Sequence, residues 1–559
     1  MKAAPRAQLI VDYKSWFGIE PPINKISLIN FISREHLLYE LTALNYRLKP
    51  KDKIVIDSSL ETQLKELKYF TMTKELHSQY LFNFRKHTRS SKDYPIIFHR
   101  QGCLYGIEEI INSLEMQNTE NFNMARIEVW DAILKYLLAV NYEITYLKEE
   151  KDDNNVDFES LNPKMIPLNE LTVETDQIFT PFRGYNLIKY YYDHPDFHEE
   201  VVKYFQEKYG MEYDYFILEI LKMYVTPRND IPEHEFCYTL EGNDDGLFEP
   251  LSRMHLNNET YKLLSIRKSP FIKAANRKYL VTDITFLIEK TYSQFLNDFW
   301  FDWLKEITND DGTSKFTFKL YRGVFGYFFE SYLAQILKNS FENYKYSKLL
   351  LFDNLKIKRT IGEIEIADIY FRYGNKIILG QVKAGSIYDE EKYGGNVKLL
   401  YKNDRNKFFE KFGINQLIAS LTRMDNYIQE IDPNFPKGHS YNVFPCIIVN
   451  DKAFQTPLMP DTFNTRFQEL LKDFNIKKVK VFPLTLIHIS DLERIEDFLN
   501  KNPSKIWDFL KYNYRDRLFI PPFYSSIKYD WQSGQYPERV LHLYRSILEK
   551  YFPKSTLVK

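Results

Sequence analysis

The chain has 559 residues, 44% hydrophobic and 27% charged, which is ordinary for a globular protein and long enough for two to four domains with buried cores. Lys and Arg number 75 against 76 Asp and Glu, a net charge of −1, so the whole-chain field cannot steer a polyanion and any nucleic-acid surface must be a local patch. Only Cys103, Cys237 and Cys446 are present, far apart, which excludes a disulfide framework and fits a reducing, cytoplasmic setting. The first residues lack the apolar run of a signal peptide. The longest apolar stretch, Tyr215 to Val225, is interrupted by Glu219 and Lys222, so no membrane span is expected. The aromatic content of 16% reads as a Tyr- and Phe-rich core rather than as stacking platforms.

Residues 1 to 260 read as a mostly helical region. A capping box at Ser58 and Glu61 predicts a helix to Phe70, and apolar spacing predicts a long amphipathic segment over 121–147. Two further helices are expected, Phe197 to Tyr209 closed by Gly210, then Tyr213 to Tyr224. His234 and Cys237 have ligand-like spacing but lack a second pair, and read as structural. No repeat and no Gly-rich phosphate loop is present. Residues 261–317 form a lead-in: a hairpin from Ser269 to Val281 with Asn276 near its turn, then one helix from Asp283 to Leu304.

The segment 318–500 carries the candidate chemistry. A helix over 321–337 buries Phe325, Phe329, Tyr332, Leu333, Ile336 and Leu337. Glu330 lies on its stripe of small residues, Gly323, Gly326 and Ala334, where close backbone approach is expected and a carboxylate is costly unless a cation meets it. Downstream, two β-branched runs flank Gly374 and Asn375, which predicts a tight hairpin with Tyr373 facing Lys376. That register puts Asp368 opposite Gln381, with Lys383 on the same face and Ile378 and Val382 turned to a core. A basic run follows, Lys398, Lys402, Arg405, Lys407 and Lys411 interleaved with aromatics. It reads either as a solvated helix face or as a grip on phosphates. A helix from Ile414 to Ile431 carries Gln416 in its first turn, and strands are expected at 444–450 and 478–488. Residues 501–559 close the chain as an aromatic, helical extension.

The acid, amide and lysine on one hairpin resemble the PD-(D/E)xK nuclease superfamily, in the Gln-x-Lys form of Mrr-type restriction endonucleases. Ala367 stands where many members have Pro, and Ser420 where the RecB-like version has Tyr. The resemblance implies an α/β fold, a restriction-endonuclease-like mixed sheet in α-β-β-β-α-β order behind the helical N-terminal region. It implies a catalytic set of Glu330, Asp368, Gln381 and Lys383. Asp368, the Gln381 oxygen, the Val382 carbonyl and Glu330 would hold Mg²⁺ or Mn²⁺, with Gln416 near the site. The implied activity is DNA phosphodiester hydrolysis in restriction or phage defence. Residues 1–260 would be the sensor or protein-partner platform, with a homo-oligomer left open. Gln381 in place of an acid motivates the alternative, an inactive nuclease fold acting as a nucleic-acid-binding or assembly subunit.

Overall fold

The computed structural model of the chain describes residues 9–48, 59–89, 95–113, 127–145, 170–225 except 172 and 174, 236–239, 246–252, 263–275, 278–360, 362–387, 405–435, 439–473, 479–515, 519–527 and 536–553. Its largest sheet has six strands of mixed direction. Helix α1 (Phe318–Phe341) leads into β1 (Ser347–Leu351) and a separate ribbon of β2 (Lys356–Lys358) and β3 (Glu363–Glu365). Then come β4 (Ile369–Tyr373), β5 (Lys376–Lys383), α2 (Arg405–Lys411), α3 (Ile414–Ile431) and β6 (Tyr441–Val449). Helix α4 (Met459–Leu471), strands β7 (Val479–Val481) and β8 (Thr485–His488) and helix α5 (Ile489–Lys501) complete this part. β1, β4 and β5 are antiparallel neighbours; β5 runs parallel to β6, and β6 parallel to both β7 and β8.

Alternation along β5 builds the two faces. Ile378 and Val382 enter the core shared with α1 and α5, while Ile377 and Leu379 enter the core shared with α3. With neighbours on both edges and helices on both faces, the strand is buried from Ile377 to Val382. Gly374 supplies the turn at φ +57° while Asn375 keeps a negative φ, as a two-residue loop with Gly first requires. The ladder pairs Tyr373 with Lys376 as expected and runs to Ile369 opposite Gly380.

The region before the sheet divides between two cores. Helices Arg34–Arg47, Leu60–Phe70, Arg100–Asn112 and Ile127–Thr145 gather around one. Helices Phe179–Asp193, His198–Tyr209 and Tyr213–Val225 instead join the core beneath α1. Between the two lies a three-stranded sheet, Cys237–Thr239 against Lys278–Val281 against Phe271–Ala275. Tyr238, Phe271, Tyr279 and Val281 face one core, and Ile272 and Leu280 the other.

Several expectations need correction. Ser59, not Ser58, caps the helix to Phe70, accepting the Thr62 N–H at 3.2 Å; Ser58 lies outside the described residues, as do His234 and Asn276. The single helix expected over 283–304 is broken into Ile284–Glu289 and Ser293–Phe301. The cause is tertiary. Helix Phe179–Asp193 crosses the break at Gly184, where a Cβ would stand 2.1 Å from the Thr291 carbonyl oxygen, and Lys290 turns inward to Asp298 at 2.6 Å. The strand expected over 478–488 is interrupted at Pro483, which cannot donate to a ladder, so β7 and β8 occupy one edge of β6 in succession. The small-residue stripe of α1 receives no backbone: a Cβ at Gly323 or Gly326 would meet nothing within 4 Å. Among the described residues, no helix is long and apolar enough to cross a membrane.

Candidate active site

Asp368 immediately precedes β4. Its N–H donates to the Gly380 carbonyl at 3.1 Å, and its Oδ2 accepts the Val382 N–H at 2.7 Å. Asp368 thus grips the backbone on both sides of Gln381, through its N–H on one side and its carboxylate on the other. Gln381 is 5% exposed on the α3 face, so its amide needs partners there. The Ser420 hydroxyl donates to the Gln416 carbonyl at 2.8 Å and can only accept from Gln381, whose Nε2 lies at 3.1 Å. This hydroxyl therefore fixes the amide with Nε2 towards α3 and leaves Oε1 as its acceptor end.

Lys383 extends from the same face. Its ammonium donates to Oε1 of Gln416, which places that first-turn glutamine in the cluster. The stem runs over Gly413, at φ +88°, where an added Cβ would stand 2.5 Å from Lys383 Cε. Only glycine suits that spot, for its backbone angle and for the lysine above it. No carboxylate lies within 4 Å of the ammonium among the described residues. Burial pulls the Lys383 amine below its usual range, and Asp368, Glu365 and Glu330 oppose that pull.

Glu365 is the residue that the sequence reading missed. It ends β3, is exposed, and lies near enough to Asp368 for its charge to raise that carboxyl's proton affinity. In one continuous strand, residues 365 and 368 would point to opposite faces. The chain instead leaves the β3 ribbon at Ile366 and Ala367 before β4 begins, which lets both acids meet. Glu330, half-buried on α1, stands near enough for Asp368 and Glu365 to raise its proton affinity, burial being the larger cause. Glu330, Asp368, Gln381, Lys383 and Gln416 are therefore brought together, and Val382 meets Asp368 through its N–H. Of the basic run, Lys398 and Lys402 lie outside the described residues and Arg405 opens α2. Lys407 is exposed, and Lys411 reaches the Ser386 carbonyl at 3.1 Å.

Burial raises the Asp368 carboxyl from 3.8 to about 6; the Val382 N–H and Lys383 pull it down, and Glu365 adds to the rise. The folded chain thus binds this proton more tightly than the unfolded chain does. Its contribution favours folding below the unfolded value and is lost as pH rises through about 6, a difference on the order of 3 kcal/mol. Asp368→Asn keeps an acceptor for the Val382 N–H and has no proton to lose. We expect it to unfold at a higher temperature than wild type near neutral pH, with the gap closing at about pH 4. Thermal melts across that range check this, and an Asn variant less stable at neutral pH would contradict it.

The oxygen donors suit a hard divalent cation. Mg²⁺ keeps several waters and needs only one or two carboxylates, so Asp368, Glu365 and the Gln381 oxygen are the groups that could hold one. Among the described residues, no three His, Cys, Asp or Glu side chains form a ready-made metal cage. Fold and site together define a mixed α/β chain with an acid–amide–lysine cluster at the end of its central strand. No family model, curated protein or solved structure matches this chain.

Proposed function

We propose that this chain is a metal-dependent nuclease of the PD-(D/E)xK type, in its Gln-x-Lys form, that hydrolyses DNA phosphodiester bonds. The observation that carries the reading is Lys383: a half-buried ammonium on the face of Gln381, received by Gln416, within the field of three carboxylates and ion-paired to none among the described residues. Mg²⁺ or Mn²⁺, held by Asp368, Glu365 and the Gln381 oxygen, with Glu330 behind, would polarise the phosphate and acidify a water. Lys383 would orient that water or offset charge on the phosphorane-like transition state. Gln416 and Gly413 fix the ammonium's direction, and Ser420 fixes the amide's. The bases of α2 would lie along the DNA path. A role in restriction or phage defence, with the N-terminal core as sensor or partner platform, belongs to the same proposal by analogy.

The second reading, an inactive nuclease fold that binds nucleic acid or assembles with partners, is favoured by one observation: Gln381 stands in place of an acid, and loss of an acid weakens metal binding. Purified protein incubated with plasmid, linear duplex, single-stranded DNA and RNA, with and without Mg²⁺ or Mn²⁺, separates the two. Cleavage of DNA only with metal is expected. DNA binding with no cleavage under any condition would assign the second reading.

A further inference from the structure

Three residues beyond Lys383, the chain enters the wall of a cavity of about 110 Å³. It lies at the carboxyl ends of the parallel strands β5, β6 and β8, represented by Ser386, Asn450 and His488. Open α/β sheets offer ligand crevices at that end. Helix Phe179–Asp193, helix Ser293–Phe301 and the first turns of α1 close the other side. The volume is well above what a single water needs and leaves room for a phosphate group.

The charges in the wall are unevenly committed. Of the four acids in the wall, Asp451 accepts the Ile387 and Ala453 N–H groups, Asp176 accepts those of Ile178 and Phe179, Glu289 pairs with Arg267 at 3.0 Å, and Glu170 is buried at 3% exposure. Arg322, half-buried on α1, has no carboxylate within 4 Å among the described residues; its one hydrogen bond is a long 3.5 Å contact to the Ala384 carbonyl. Arg183 is 4% exposed. It gives one nitrogen to Glu493 at 2.9 Å and lies 4.4 Å over the Tyr292 ring, while its buried Nε–H has no acceptor. A buried N–H without an acceptor is costly, so an oxyanion within its reach would relieve that cost. Phe301 and Phe318 also line the cavity and stay exposed, which offers a planar ring a surface outside the phosphate.

We propose that this cavity binds the phosphomonoester of a nucleotide, with Arg322 and Arg183 on the phosphate and the base against Phe301 and Phe318. The phosphate can come from a free nucleotide or from the end of a nucleic-acid strand; the chemistry is the same. The inference does not require that the Lys383 site cut anything. It is tested by calorimetric titration of the full chain with inorganic phosphate, the four nucleoside monophosphates, and one oligonucleotide bearing either a 5′-phosphate or a 5′-hydroxyl. We expect saturable binding of at least one nucleotide, weaker binding of phosphate alone, and a loss of at least about tenfold in Arg322→Gln with unchanged melting temperature. Phe318→Ala should weaken the nucleotide more than phosphate. A free nucleotide binding more tightly than the phosphorylated oligonucleotide would mark an effector site, and the reverse a strand-end site. Binding by none of these probes, or binding indifferent to both the 5′-phosphate and Arg322→Gln, would overturn the proposal.

Discussion

Lys383→Ala is expected to bind DNA nearly as well as wild type and to cut it about 10²–10³-fold more slowly. Binding is shared among several bases, and losing one phosphate contact changes the salt slope by only about one unit. The transition state is different, since a preorganised charge there is not replaced by water. The Lys383 ammonium is preorganised by particular contacts: Gln416 receives it, Gly413 leaves room for its stem, and Asp368, Glu365 and Glu330 hold it charged against burial. Lys402→Ala with Lys407→Ala should do the reverse, weakening binding at moderate salt while saturated turnover stays largely intact. Single-turnover cleavage and anisotropy binding measure both quantities. Equal cleavage by Lys383→Ala and wild type would make this lysine structural, and the nuclease proposal would fall with it.

Arg100→Met is expected to lower stability by about 3–5 kcal/mol, the usual cost of stranding one half of a buried ion pair. Arg100 and Asp283 form a salt bridge with side chains only 3% and 2% exposed. Around it, Asn45 donates to Asp283 at 3.1 Å and to the Thr282 carbonyl at 2.8 Å, and Arg100 reaches the Leu171 carbonyl at 2.5 Å. The pair joins the N-terminal helices to the start of the segment before α1. Denaturant unfolding should show the loss, and adding Asp283→Asn should recover part of it by removing the uncompensated charge. A double variant as unstable as Arg100→Met alone would mean that lost packing, not a stranded carboxylate, sets the cost.

The sequence exposed the site where local rules govern. Gly374 and Asn375 announced the turn, and a turn with fixed loop length dictates register, so Asp368, Gln381 and Lys383 could be placed on one face. The helix expected from about Ile414 to Ile431 spans those residues and carries Gln416 in its first turn. What stayed hidden depends on contacts distant in sequence. Glu365 joins the cluster only because the chain breaks at Ile366, and continuous alternation through Glu363, Ile364 and Glu365 conceals that break. Ser420 stands in sequence only as a departure from an aromatic position; its role follows from Gln381, which is buried and whose Nε2 needs an acceptor. Gly184 splits the helix expected over 283–304 from more than a hundred residues upstream, beyond the reach of any window. Glu330 was legible for the wrong reason: its stripe of small residues admits no neighbouring backbone, and its place near the acids comes from α1 as a whole.

The three-stranded sheet makes the two halves of the protein inseparable as parts. With Tyr238, Phe271 and Tyr279 turned to one core and Ile272 and Leu280 to the other, it is a party wall rather than a hinge. A cut near residue 260 removes the strand Cys237–Thr239 and the helices from Phe179 to Val225, and so opens the core that supports α1. Swapping the N-terminal helices onto another α/β core would require a new wall to be built at the same time. Any lineage carrying this fold should therefore inherit both halves together and diversify on their outer surfaces.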